Sequence, residues 1–114
     1  SALIDDSLIG ELAALDEEGS PSMLGRLIRD YIGQTPAAFS AMKQHLHRRD
    51  CAELGRCAHK LGGTSASLGA TAMADVCYRI ERHAAEADLQ SIHALVDELE
   101  MRFARTRSEL LKFA

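Results

Sequence analysis

The stretch LGRCAHKLGGTSASLGA, Leu54 to Ala70, decides the fold and raises the functional question. Leu54, Ala58, Leu61, Ser65 and Leu68 stay within about 40° of one direction at about 100° per residue, the signature of a helix with one buried seam. The same helix carries Gly55, Gly62 and Gly63. A helical glycine costs about 1 kcal/mol against alanine, so three cost about 3 kcal/mol. That is a large share of the stability of a small domain. His59 points about 140° away from the seam and should face solvent. Its neighbours on the helix surface are Gly55, Arg56, Gly62 and Gly63, at i−4, i−3, i+3 and i+4. Three of these have no side chain, so the imidazole stands on a bare surface that a partner's backbone can approach. Glycines kept for packing would lie on the seam side. Gly55 and Gly63 lie on the far side, and only Gly62, about 80° from the seam, suits packing.

The flanking sequence supplies the other helices. Asp5 or Asp6 caps a short helix with Leu8, Ile9, Leu12 and Leu15 on one face. Ser20 and Pro21 signal the start of a second helix, with apolar positions Leu24, Leu27, Ile28, Tyr31 and Ile32. Pro36 kinks or splits it, and the pattern resumes through Phe39, Met42 and Leu46, with Arg48 to Asp50 at its end. The helix with His59 runs from about Asp50 to Leu68, with Gly69 as its stop. A fourth helix carries Met73, Val76, Cys77, Ile80 and Ala84. Asp88 caps a fifth, whose seam is Leu89, Ile92, Val96, Leu99, Phe103, Thr106, Leu110 and Phe113, with Thr106 its one weak link. Four long amphipathic helices with short connections predict an all-α, antiparallel four-helix bundle, with the additional short N-terminal helix packed over one end. The whole chain, 1–114, reads as one domain.

Composition narrows the function classes. Apolar residues make up 46% of the 114 residues and aromatics only 4%, so the core is aliphatic. A net charge of −4 argues against nucleic-acid binding. No apolar run approaches the roughly 18 residues of a membrane span. Three cysteines, an odd number, fit a reduced cytoplasmic chain better than a disulfide scaffold. Cys51 and Cys57 flank the seam and Cys77 lies on the next helix, all three reading as small core hydrophobes. His45, His47, Cys51, Cys57 and His59 match no usual zinc spacing, and neither metal nor cofactor is expected. No Gly-rich phosphate loop or kinase signature is present, so the chain is not expected to use ATP itself. His83 and His93 read as solvated or interfacial, and Arg102, Arg105, Arg107 and Lys112 as a solvated face. The start at Ser1 without a methionine reads as a piece cut from a longer protein.

The segment AHKLGGTSASLGA resembles the signature of histidine-containing phosphotransfer (HPt) domains, A-H-x-L-K-G-S-S-x-x-L-G-A. Ala58, His59, Leu61, Gly63, Ser65, Leu68, Gly69 and Ala70 match, Thr64 is a mild change, and VCYRIE at Val76 to Glu81 resembles the family's next helix. The resemblance implies a phosphorelay module in which His59 accepts a phosphoryl group from a receiver-domain aspartate. It then passes the group to an aspartate of a response regulator. It also implies a monomeric, cytoplasmic domain whose parent is a hybrid sensor histidine kinase, itself membrane-anchored or not. Partners are receiver domains of a hybrid kinase or response regulator, with no nucleic acid and no membrane contact. The docking surface is expected around His59 at Gly55, Gly62, Gly63, Thr64 and Ser67, with Leu8, Ile9 or Leu12 of the first helix.

Two positions depart from the family pattern. Gly62 stands where the family usually has lysine, and Glu81 where it often has glutamine. Arg56, about 60° round the helix from His59, and Lys60, about 100° away, are the candidates to replace the missing cation. Glu81 is expected near the imidazole, where it favours imidazolium. These departures leave open a second reading, a helical docking module that is not phosphorylated.

Overall fold

The computed structural model describes residues 2–16 and 23–114. Five helices follow in order: α1 Asp6–Ala14, α2 Met23–His47, α3 Cys51–Ser67, α4 Thr71–Ala85 and α5 Leu89–Leu111. The described residues are all-helical, as the periodicity predicts. The Ser20–Pro21 start of the second helix falls outside the described residues.

The starts and stops follow from local chemistry. Asp5, Asp50 and Asp88 each accept a hydrogen bond from a backbone N–H three residues on, at 3.1, 3.1 and 3.2 Å. Each satisfies one of the donors that a helix start leaves orphaned. Gly69 ends α3 with φ +81°, a left-handed conformation that glycine adopts without steric cost. The α2–α3 and α4–α5 turns reach the same region with Arg49 (φ 58°) and Ala87 (φ 57°).

α2 runs unbroken through Pro36. Ile28 and Tyr31 before the proline, and Phe39 and Met42 after it, are all buried in one core. Burying each contributes about 1.5–3 kcal/mol, which together exceeds the roughly 3 kcal/mol that an interior proline costs. Helices α2 to α5 form a closed ring of neighbours, with α3 against α4 the most extensive pairing. The entire predicted α3 seam, Leu54, Ala58, Leu61, Ser65 and Leu68, is buried. Inside the core the Tyr31 hydroxyl meets Ser65 Oγ at 2.6 Å, so the one polar seam position has its partner.

α1 covers the end of the bundle where α3 turns into α4. Asp5 N–H donates to Gly69 O at 2.7 Å, and Ala72 N–H to Leu3 O at 3.2 Å. Ile4 and Ile9 are buried beneath. Two expectations are corrected. Phe113 lies beyond the end of α5 and is 39% exposed, so it is not a core residue. Cys51 and Cys57 are half-buried on their flanks, and only Cys77 is fully enclosed.

Candidate functional site

His59 projects from the middle of α3 with 71% of its side chain exposed, although Ala58 beside it is fully buried. The contrast follows from the register of one amphipathic helix. Across the antiparallel α3–α4 interface three levels are aligned. A Cβ on Gly55 would touch Ala84 Cβ at 3.7 Å, His59 meets Glu81, and Gly62 lies under Tyr78.

Nδ1 of His59 is 3.0 Å from Glu81 Oε2 and 3.2 Å from Oε1. An ionised carboxylate only accepts, so Nδ1 carries the proton and donates it. In a neutral ring the lone pair then resides on Nε2, the nitrogen turned away from α4. The carboxylate also fixes the ring plane. Glu81 thus sits next to the imidazole, as expected from the sequence.

Arg56 is turned toward Glu53 on its own helix. Nε donates to Glu53 Oε1 at 3.0 Å and Nη2 makes a second, shorter contact to the same oxygen. Glu53 pushes the guanidinium further above its ordinary value. Arg56 still edges an open hollow of about 500 Å³ beside the imidazole, floored by Gly55, Ala84 and Ala85. Lys60 is exposed and lines the groove between α2 and α3 with Tyr31 and Thr64. It faces the opposite side of α3 from Glu81.

The glycines divide into two kinds. A Cβ on Gly63 would meet nothing within 4 Å, so this position is open surface. On Gly62 it would come to 2.8 Å from Tyr78 Cε1 and 3.1 Å from Cys77 Cβ. Gly62 is buried by the Tyr78 ring and offers no docking surface, a correction to the sequence reading. The packing role its 80° placement allowed is the one it fills. Thr64 and Ser67 are exposed, and their hydroxyls bond back to Lys60 O and Gly63 O of their own helix. Leu8 and Leu12 are half-buried, whereas Ile9 is wholly buried against the Gly69 turn and is corrected to a core residue. The residue that sequence reasoning missed is Tyr78, 43% exposed beside the site. The signal was available: if residue 59 faces 81, then one turn on residue 62 faces 78, a glycine opposite an aromatic.

Burial quiets two of the thiols, Cys57 and Cys77. It pushes Cys77 up from 9.0 to about 12 and raises Cys57 too, against the weaker opposing effect of Lys60. Neither is poised as a thiolate nucleophile. Among the described residues no three His, Cys, Asp or Glu side chains converge as a metal site, and no helix is long and apolar enough to cross a membrane.

Comparison with known proteins agrees with this geometry. The Hpt domain family matches residues 26–109. The chain is 30% identical over 81 residues to multistep phosphorelay regulator 1 of Schizosaccharomyces pombe, covering 71% of this chain and 28% of that protein. It is 32% identical over 82 residues to the phosphorelay intermediate protein YPD1 of Saccharomyces cerevisiae, covering 71% and 48%. The chain therefore spans about half or less of these relatives. In fold it is similar to the histidine-containing phosphotransfer protein HptB of Pseudomonas aeruginosa PAO1, with a TM-score of 0.88 over 98% of this chain and 94% of that one, at 23% identity. With the bundle, the exposed histidine on its third helix and the family match over most of its length, the chain belongs to the Hpt domain family.

Proposed function

We propose that this domain is a phosphorelay intermediate whose phosphoacceptor is Nε2 of His59. A neutral imidazole is a competent nucleophile at neutral pH. Nε2 attacks the phosphorus of a receiver's aspartyl phosphate, the N–P bond forms, and the acyl P–O bond breaks with its electron pair returning to the carboxylate. Onward transfer to a response-regulator aspartate reverses these roles. The receiver brings the acidic pocket, so this chain's part is to present one correctly oriented nitrogen on an accessible surface. The observation that carries the reading is the exposed ring whose Nδ1 is bonded to Glu81 at 3.0 Å while Gly63 beside it stays bare.

The docking face in this reading comprises His59, Gly63, Thr64 and Ser67, with Gly55 and the hollow beside it, and the half-buried Leu8 and Leu12 at the α1 end. Arg56 is the cation best placed to meet the phosphoryl group, since its planar fork suits phosphate and it borders the hollow. Exchanging Glu53 for phosphate is the cost of that role. The reading further places the domain in the cytoplasm as a monomer that meets receiver domains, within or beside a hybrid sensor kinase.

Incubation with a phosphorylated receiver tests it. The parent chain takes up acid-labile, base-stable label. His59→Gln takes up none and keeps its helical circular dichroism and melting temperature. Label on the variant would assign the phosphoryl group to another residue, and none on the parent with any receiver tried favours a docking module that is not phosphorylated.

A further inference from the structure

We propose that the Glu81 carboxylate keeps the proton on Nδ1 of His59 after the phosphoryl group has joined Nε2, so that the imidazole departs as a neutral ring when the group moves on. This rests on the phosphocarrier reading and adds to it a positioning residue that sets how readily the group leaves.

The argument starts from electron bookkeeping. Before transfer the ring has a proton on Nδ1 and a lone pair on Nε2. When Nε2 bonds phosphorus, that lone pair is committed and the ring becomes cationic as long as Nδ1 keeps its proton. Breaking the N–P bond then returns the pair to Nε2 and releases neutral imidazole. If Nδ1 has lost its proton first, the same cleavage must expel an imidazolate anion, a far worse leaving group. Readiness to transfer therefore depends on one proton, and that proton lies between Nδ1 and Glu81, whose two oxygens are 3.0 and 3.2 Å away.

A carboxylate holds it better than any neutral acceptor in the same place, because a charge-assisted hydrogen bond is roughly twice as strong as a neutral one. The other charged groups do not compete for it. On α3, Arg56 is bonded to Glu53, and Lys60 faces the α2 groove. The hollow beside the ring is also lined by the half-buried Cys51. On α4 the phenol of Tyr78 lies over Gly62, one turn from Glu81. Among the described residues Glu81 is thus the anion bonded to the ring. With the His59 side chain 71% and the Glu81 side chain 39% exposed, solvent weakens the effect. The expected shift in the pH dependence of transfer is about half a unit, a roughly threefold change in rate at fixed pH on its alkaline limb.

The test uses the whole chain phosphorylated chemically with phosphoramidate, which needs no receiver. Decay of phosphohistidine is followed from pH 5 to 10, and transfer to an unphosphorylated receiver is timed on the same samples, for the parent and Glu81→Gln. Phosphorus NMR identifies the nitrogen that carries the group. The parent is expected to be labelled on Nε2. Glu81→Gln, which keeps a hydrogen-bond acceptor but not the charge, should decay and transfer about threefold more slowly near pH 8. Its profile should lie about half a unit to the acid side, and the difference should shrink in high salt. Glu81→Asp should recover part of the parent profile. Coincident profiles for parent and Glu81→Gln, with both labelled on Nε2, overturn the proposal and leave the phosphocarrier reading standing. Label on Nδ1 of the parent overturns it too, since the carboxylate then does not hold that nitrogen. Failure of His59 to take the label, or of the labelled chain to pass it to any receiver, strikes the phosphocarrier reading itself.

Discussion

The ring of Tyr78 occupies the space directly over Gly62, so that a single added methyl group at residue 62 would come to 2.8 Å from Tyr78 Cε1. The two residues belong to different helices and are complementary: a position without a side chain on α3 and an aromatic from α4 that covers it. One turn away the same interface brings Glu81 to His59.

Gly63→Ala and Gly62→Ala are therefore expected to differ in sign. At Gly63 a methyl group meets nothing, so the helix gains about 0.5–1 kcal/mol from the better helix former. At Gly62 the same gain is offset by the need to displace Tyr78 and by a 3.1 Å approach to Cys77 Cβ, which cannot swing away. Urea denaturation should place Gly62→Ala at or below the parent and at least about 1 kcal/mol below Gly63→Ala. Adding Tyr78→Ala should recover part of the loss, since the pair is in contact and its effects are not additive.

Gly63→Leu should separate stability from transfer. Leucine is the better helix former and finds open space, so the melting temperature should hold or rise. A branched side chain one turn from His59 should hold a receiver away from Nε2, slowing transfer on the order of a hundredfold. Gly55→Ala, whose methyl group would rest on Ala84 at 3.7 Å, should be milder. Transfer by Gly63→Leu at the parent rate would show that the bare surface is not needed for access.

Alkaline pH should unfold the domain through two buried acids. Burial raises Tyr31 from 10.0 to about 12, against the opposing hydrogen bond from Ser65, and raises Cys77 from 9.0 to about 12. Both groups hold their protons more tightly folded than unfolded. Their contribution is complete below about pH 9 and is lost as pH climbs from there toward 12. Tyr31→Phe should cost about 1 kcal/mol at neutral pH, because Ser65 Oγ loses its buried partner. The same variant should show a shallower loss between pH 10 and 12. An equal slope for parent and variant in denaturation curves across that range would contradict this assignment.

Thr106→Val should stabilise. Thr106 is fully buried and its hydroxyl has no hydrogen-bond partner among the described residues. Valine replaces that hydroxyl with a methyl group of nearly the same shape and removes an unsatisfied polar atom, a gain of about 1 kcal/mol. Calorimetry should show the melting temperature rising by about 4 °C.

Most of the fold was legible in the sequence, because its signals are local. The seam of α3, the aspartate caps at Asp5 and Asp88, the Gly69 stop and the outward direction of His59 each depend on residues within a turn or two of one another. Periodicity alone did not settle Pro36, since the cost of the proline is local but the burial that outweighs it comes from the other helices. Nor could it separate three glycines that look alike along one helix. Only packing gives Gly62 a cover, leaves Gly63 open and sets Gly55 in a groove, because the difference lies in the facing side chains of α4. Ile9 was misplaced for the same reason: a short amphipathic helix shows that one face is apolar, and only its docking on the Gly69 turn shows how deep each residue sinks. The approach of Glu81 to the imidazole was expected from family resemblance, but its distance, the ring nitrogen it meets and its hold on the proton come from the register of α3 against α4. The sequence by itself determined which helices form and which way the histidine points. The tertiary structure decided which groups meet it, since those contacts join residues more than twenty positions apart through the alignment of two packed helices.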